Sequence, residues 1–320
     1  MKFSVVIPMY NKQATIGRAV HSVLNQFGEQ VSEVELIVIN DGSSDKSLSI
    51  VDRIQKENPH QNIVLHSQKN AGVSAARNKG IELAGHNLVA FLDADDSYEP
   101  YFLDEITKLI SEYPQASVYG TAYRFVNARA GTKRLSRVSG LLPGKDRQLL
   151  SDFFNSTATG DLPITSSTVC VHKAALLEVG GFPIGEHMGE DQAVWSQLAL
   201  TQSIAISKKV CATYFEYTQD SLMQSITPNR EMPFSQRLQN QLDSRQISTR
   251  YVKSVKNYIA GHLLDLVRRN FEINNLETAK KLISDHRGQQ QFKRWLYWSV
   301  KLRFNMLRDG FNKMGSELAH

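Results

Sequence analysis

The residues of this chain whose types and spacing could do chemistry are carboxylates. Asp93, Asp95 and Asp96 fall within four positions, at the end of the apolar run Leu88–Leu92. Like charges at that separation repel, which is costly unless something positive offsets it. A hard divalent cation would do so, and one or two carboxylates completed by phosphate oxygens are a common Mg²⁺ or Mn²⁺ environment. The competing reading is a solvated acidic turn that caps a helix starting near Tyr98. A second pair, Glu190-Asp191, follows His187-Met188-Gly189 and leads the apolar-faced helical segment Gln192–Leu200. An aspartate of ordinary pKa, about 3.9, is ionised at neutral pH and can take a proton during a reaction. Carboxylates in the first turn of a helix are equally what its dipole favours without any chemistry.

Two stretches could hold a ligand. In Asn40-Asp41-Gly42-Ser43, Asp41 follows a buried strand and could accept hydrogen bonds from a nucleobase or ribose, with Gly42 permitting close backbone approach. An Asx turn with a helix cap would give the same residues. Lys69–Asn78 is a Gly/Ala-rich loop running into a helix, which turns backbone N–H groups toward an anion. Arg77, one turn in, could add a bidentate phosphate contact. The GxxxxGK[ST] pattern of a P-loop is missing.

The elements that must position these residues alternate between strand and helix. Strands are expected at Phe3–Ile7, Glu35–Ile39, Asn62–His66 and Leu88–Leu92, and helices at Ala14–Gln26, after Asp45, and at Ser74–Ala84. That alternation implies a mainly parallel, three-layer α/β sheet with its functional loops at the carboxyl ends of the strands. Further strands are expected at Val118–Phe125 and Ser167–His172, with a mobile basic loop at Gly131–Gly144. The last ninety or so residues read as helices at Gln236–Val255, Val255–Phe271, Leu276–Asp285 and Gln291–Leu307, by their periodicity. The expected division is a catalytic domain, 1–227, made of halves 1–100 and 101–227, followed by a basic helical region, 228–320.

Composition supports an ordinary globular chain: 320 residues, 41% hydrophobic and 22% charged. Cys170 and Cys211 lack CxxC or CxxH context, so they are expected as buried thiols rather than zinc ligands. No apolar run reaches the ~20 residues of a membrane span, and the N-terminus does not read as a secretory signal. A cytoplasmic protein is expected. The net charge of +5 conceals an asymmetry, since from Pro228 onward there are 17 Lys and Arg against eight Asp and Glu. No acidic residue lies between Asp285 and Asp309, while Phe292, Trp295, Leu296, Leu302 and Met306 fall near one helical face. Residues 286–308 fit a helix on an anionic membrane surface at the inner face of the cell membrane. A helix packed on the catalytic domain, or a contact between copies in a homo-oligomer, fits as well. Nucleic acid is not expected, because no recognition module is visible.

In order along the chain, VVIPMYN (Val5–Asn11), NDGSSD (Asn40–Asp45), NAGVSAARNKG (Asn70–Gly80), FLDADD (Phe91–Asp96) and GGFP…GED (Gly180–Pro183, Gly189–Asp191) resemble the inverting family 2 glycosyltransferases of the GT-A fold. The resemblance covers about residues 3–200. It implies a Rossmann-like sheet, a nucleotide-sugar donor with UDP expected, and a glycan or lipid-linked acceptor. It also implies roles. Pro8, Tyr10 and Asp41 would hold the base, Asn70 and Arg77 would contact the nucleotide, and Asp93 would reach the ribose. Asp95, with Asp96 beside it, would bind Mn²⁺ or Mg²⁺; Asp191 would be the general base and Glu190 would help position the acceptor. Ala193 and Gln197 stand where the family often has an acidic residue and an arginine, and no LxxRW-type run of processive members is evident. Two other classes compete: a non-catalytic subunit that binds nucleotide sugar or glycan, and a nucleotidyltransferase. The first should have lost the metal carboxylates or Asp191; the second should carry a Gly-rich, arginine-containing loop where this chain has PMYNKQ.

Overall fold

The computed structural model describes residues 1–127, 129–186, 188–216 and 229–317, with side chains described to residue 305. His187 and the side chains of Met306 and Arg308 therefore lie outside the described residues. The chain divides into two compact units, Met1–Leu222 and Met223–His320.

The first unit begins β1 (Lys2–Met9), α1 (Ile16–Leu24), β2 (Glu33–Asn40), α2 (Ser47–Glu57), β3 (Asn62–Ser67), α3 (Val73–Leu83), β4 (Leu88–Phe91). These strands pair in parallel in the order β3-β2-β1-β4. Their nearly unbroken apolar runs require both faces to be covered, and both are. Phe3, Val5, Ile7 and Met9 of β1 join a core with Ile16, Val20 and Val23 of α1 and Val51 and Ile54 of α2. Val6 points the other way, onto α3. There Gly80 lets helix and strand meet, because a Cβ on it would lie 2.2 Å from Val6 Cγ1.

The unit continues with β5 (Ser97–Tyr98), α4 (Phe102–Glu112), β6 (Val118–Asn127), β7 (Lys133–Leu135), β8 (Arg147–Leu149), α5 (Phe153–Thr159), β9 (Val169–His172), α6 (Lys173–Glu178), α7 (Glu190–Thr201) and β10 (Ile204–Glu216). The sheet extends beyond β4 as β9-β6-β10-β5, with β7 on β6 and β8 on β10. The longest ladders are parallel, as expected, and short antiparallel strands are added to them. β6 and β10 are parallel, but β9 runs antiparallel to both β4 and β6, and β5, β7 and β8 are antiparallel too. An antiparallel strand needs no crossover helix before it, so strand–helix alternation gives no sign of it. The stretch expected as a loop, Gly131–Gly144, contains β7. Its Arg134 pairs with Asp161 at 2.8 Å and lies 3.5 Å over the Phe125 ring.

The second unit comprises α8 (Pro233–Asp243), α9 (Thr249–Glu272), α10 (Leu276–Ile283), a 3-10 turn at His286–Gln291, and α11 (Phe292–Glu317). The continuous helix expected over Gln236–Val255 is broken at residues 244–248, where Arg245 takes φ +57°. Val267, Ala279, Trp298 and Leu302 form a core with Phe271 and Leu282. The Trp295 indole N–H donates to the Ile283 carbonyl at 3.1 Å. Phe292 and Leu296, which the sequence groups with Leu302, are exposed on α11. No helix among the described residues is long and apolar enough to cross a membrane.

Candidate active site

The loops after β1, β2 and β4 meet at the carboxyl end of the parallel strands. The first two are stitched together by side chains. Asn11 accepts from the Ser44 N–H at 2.8 Å, Ser47 Oγ from the Lys12 N–H at 2.7 Å, and Asp45 from the Gln13 N–H at 3.0 Å. Pro8 is buried in β1 opposite Ile39, and Tyr10 stands 46% exposed just beyond it.

Asp41, buried at the end of β2, turns its carboxylate onto the loop before α3. Oδ1 accepts from Gln68 Nε2 at 2.7 Å and the Ala71 N–H at 2.9 Å, and Oδ2 accepts from the Gly72 N–H at 2.8 Å. Asp41 thus organises the loop that carries Asn70. Gly42 takes φ +76°, and a Cβ there would come within 2.9 Å of the Asn70 nitrogen, so only glycine fits this crossing.

The three aspartates after β4 face different ways. Asp95 is half-buried, with Oδ2 held by Lys12 Nζ at 2.7 Å and its carbonyl accepting from Arg18. Asp96 points inward, 1% exposed, accepting from Ser167 Oγ and from the Phe215 N–H at 3.0 Å. Both oxygens of this second expected metal ligand are engaged inside the protein. Burial first, then the charges of Asp95 and Asp93, push its carboxyl well above the usual range. Asp93 has the most exposed side chain of the three, its N–H donating to Ser167 Oγ and its Oδ1 paired with Arg77 at 2.7 Å.

Arg77 is the centre of the arrangement. It is 3% exposed, with one terminal nitrogen on Asp93 and the other on Glu190 Oε1 at 2.9 Å, and it lies 5.1 Å over the Phe182 ring. Burial alone would lower its pKa, and Asp93 and Glu190 more than offset that. The fork expected to reach a phosphate is here shared between two carboxylates. Through it, the turn after β4 is tied to the first turn of α7.

Asp191 sits beside that ion pair. Its Oδ1 accepts from the Gln192 N–H at 2.6 Å. Burial, and then the neighbouring charge of Glu190, raise its pKa to about 7, while Arg77 pulls the other way. The ordinary carboxylate pKa expected from sequence is thus moved into the range of a general base. Tyr214 on β10 faces the same cluster: burial, followed by the charges of Asp96, Asp93, Asp95 and Asp191, pushes its hydroxyl up.

The donor set fits a divalent cation bound partly by its substrate. Among the described residues no group of three His, Cys, Asp or Glu side chains converges as a cage. Asp95 instead offers a half-buried carboxylate that already holds a cation, the Lys12 ammonium. One or two such carboxylates are what Mg²⁺ or Mn²⁺ uses when phosphate oxygens complete the shell.

Comparison with known proteins decides the family. The sequence profile of glycosyl transferase family 2 matches residues 4–177, more than half of the chain. The chain belongs to glycosyl transferase family 2. Its similarity to the glycosyltransferase GlyA of Streptococcus pneumoniae is 32% identity over 193 residues, 59% of this chain and 27% of that protein. To the GalNAc(5)-diNAcBac-PP-undecaprenol beta-1,3-glucosyltransferase of Campylobacter jejuni it is 28% over 231 residues, 71% of this chain and 69% of that one. An uncharacterized Escherichia coli glycosyltransferase, YibD, is 40% identical over 111 residues, 35% of this chain and 31% of its own. The chain spans only about a quarter to a third of GlyA and YibD. Staphylococcus aureus TarS 1–349, solved with UDP-GlcNAc, superimposes with TM-score 0.62 at 20% identity, covering 94% of this chain and 80% of that one. Mannosyltransferase PcManGT of Pyrobaculum calidifontis, solved with GDP-Man and Mn²⁺, gives 0.58 at 15%, covering 88% and 74%. The fold is therefore GT-A, and this family 2 chain carries it with a helical C-terminal unit.

Four site residues escaped the sequence reading: Lys12, Arg18, Ser167 and Tyr214. Lys12 directly follows VVIPMYN; the other three carry no local signal.

Proposed function

We propose that this glycosyltransferase moves one sugar from a nucleotide diphosphate sugar, expected to be a UDP-sugar, to a hydroxyl of a glycan or lipid-linked acceptor, inverting the anomeric centre, on the cytoplasmic side of cell-surface polysaccharide assembly. The observation that carries it is the buried Arg77 bridge from Asp93 to Glu190. It holds the donor-side carboxylates and the general-base candidate in one rigid frame. The relatives and neighbours, an undecaprenol-linked glucosyltransferase and proteins solved with UDP-GlcNAc or GDP-Man, support donor and acceptor class.

In this reading Asp191 Oδ2 takes the acceptor hydroxyl's proton while Oδ1 stays anchored on the Gln192 N–H. The oxygen so activated attacks the anomeric carbon, and the bond to the nucleoside diphosphate breaks on the opposite face. Mn²⁺ or Mg²⁺ held by Asp95 would supply charge neutralisation for the departing diphosphate. Asp93 reaches the ribose with the oxygen that Arg77 leaves free, Glu190 orients the acceptor, and Pro8, Tyr10, Asp41 and Asn70 frame the base.

The deciding experiment is turnover of a panel of UDP-, GDP- and dTDP-sugars with Mn²⁺, Mg²⁺ or EDTA, on wild type, Asp95→Ala and Asp191→Asn. Turnover of one donor that needs metal, is lost in Asp95→Ala and falls about 10²–10⁴-fold in Asp191→Asn is expected. Nucleotide binding without turnover, with lipid and glycan acceptors supplied, would favour a binding subunit. Absence of any binding would remove both readings.

A further inference from the structure

α11 carries an apolar face that the second unit does not use. Trp298 and Leu302 turn inward, at 8% and 3% exposure. Phe292, Leu296, Val300 and Phe304 recur every four residues on another face and are 59%, 45%, 59% and 70% exposed, with Tyr297 beside them at 55%. Single exposed apolar side chains need no explanation, but a row of five on one helix marks a surface that meets something.

The charges around the row say what. On a helix of 3.6 residues per turn, Lys293 and Arg303 fall inside the arc of the apolar row, and Lys301 and Arg294 along its border. All four are exposed. Among the described residues no carboxylate pairs with Lys293 or Arg303, and none occurs in the sequence between Asp285 and Asp309. A second copy on a two-fold axis would set this cationic face against itself. A nucleic acid would satisfy the cations but leave Leu296 and Val300 with nothing to bury against.

We propose that this face of α11 lies in the surface of a bilayer containing anionic lipid, with Phe292, Leu296, Val300 and Phe304 entering the acyl boundary and Lys293, Arg294, Lys301 and Arg303 meeting headgroup phosphates. The long stems of the lysines and arginines allow this, since they can lie along apolar surface while their charges reach the headgroups. The inference is independent of which sugar is moved, and it assigns the helical unit the task of holding the enzyme at a lipid surface.

The test is flotation of the full chain, without donor or acceptor, with vesicles of phosphatidylcholine alone and with about one third phosphatidylglycerol. Binding to the anionic vesicles only, weakened by about 0.5 M salt, is expected, because the attraction is screened within a few ångströms there. Leu296→Ser/Val300→Ser/Phe304→Ser should keep the wild-type melting temperature and bind at least about tenfold more weakly. Lys293→Glu/Arg303→Glu should do the same. Equal binding to neutral vesicles, or undiminished binding by both variants, would overturn the proposal. So would a wild type that ignores vesicles and forms a dimer which the serine variant dissociates. A serine variant with a much lower melting temperature would show that the protein itself covers this face, which also overturns it.

Discussion

At the scale of single residues, the pKa of Asp191 and its coupling to Arg77 give the sharpest expectations. A general base must be ionised to act, so if Asp191 has that role kcat/KM should rise with pH through an apparent pKa of about 7. Glu190 and Asp191 are neighbours, so that value belongs to the pair. A profile flat from about pH 5 to 9 would remove Asp191 from the base role. Arg77→Met takes away a positive charge that stabilises the ionised Asp191, so the apparent pKa should move upward. The variant should also lose about 3–5 kcal/mol of stability, because Asp93 and Glu190 stay behind unpaired. Arg77→Lys tests positioning separately. A single ammonium cannot reach two carboxylates as the fork does, and a misplacement near 1 Å costs about 10²-fold in kcat. A rate unchanged in Arg77→Lys would mean that the bridge is structural only.

At the scale of elements, the tight contact of α3 on β1 is open to direct test. Gly80→Ala places a Cβ against Val6, 2.2 Å away by the present geometry. It should cost about 1–3 kcal/mol in a denaturant melt, part of which Val6→Ala should restore in the double variant. The first seven elements were legible in the sequence because each is one apolar run or one amphipathic turn, bounded by residues such as Asn40-Asp41-Gly42. β10 was not legible, since Lys208-Lys209 interrupts its alternation at a register shift between Ser207 and Val210. The site divides in the same way. Asp93, Asp95, Asp191 and Arg77 announce themselves by clustering or by an exposed loop. Ser167 meets Asp96 only because β9 and β4 are neighbours, 71 positions apart in the chain. The inward turn of Asp96 and the double pairing of Arg77 are products of that packing, which spacing alone does not encode.

At the scale of the molecule, the two units should respond differently to acid. In the helical unit the His262 ring is half-buried, accepts from the Met232 N–H at 3.2 Å, and has its pKa lowered by desolvation to about 4. Its neutral form is the one the fold needs. The stabilisation is fully present above the unfolded value of about 6.5 and is lost as pH falls toward 4, roughly 3 kcal/mol in all. His262→Gln should flatten this dependence in a melt followed at pH values between the two. In the catalytic unit Asp191 has the opposite sign: its raised pKa makes its contribution more favourable as pH falls from 7. The central place of β9 has a different consequence, for synthesis. While the chain is growing, β1–β4 can assemble as soon as residue 91 has emerged. The free edge of β4 then waits for a strand about eighty residues further on, some 4–16 s at ordinary translation rates. During that interval an unpaired, wholly apolar strand is open to other nascent chains. A fragment ending at residue 160 should aggregate where one ending at residue 216 stays dispersed, and codon choice across that gap should govern yield more than codon choice before it.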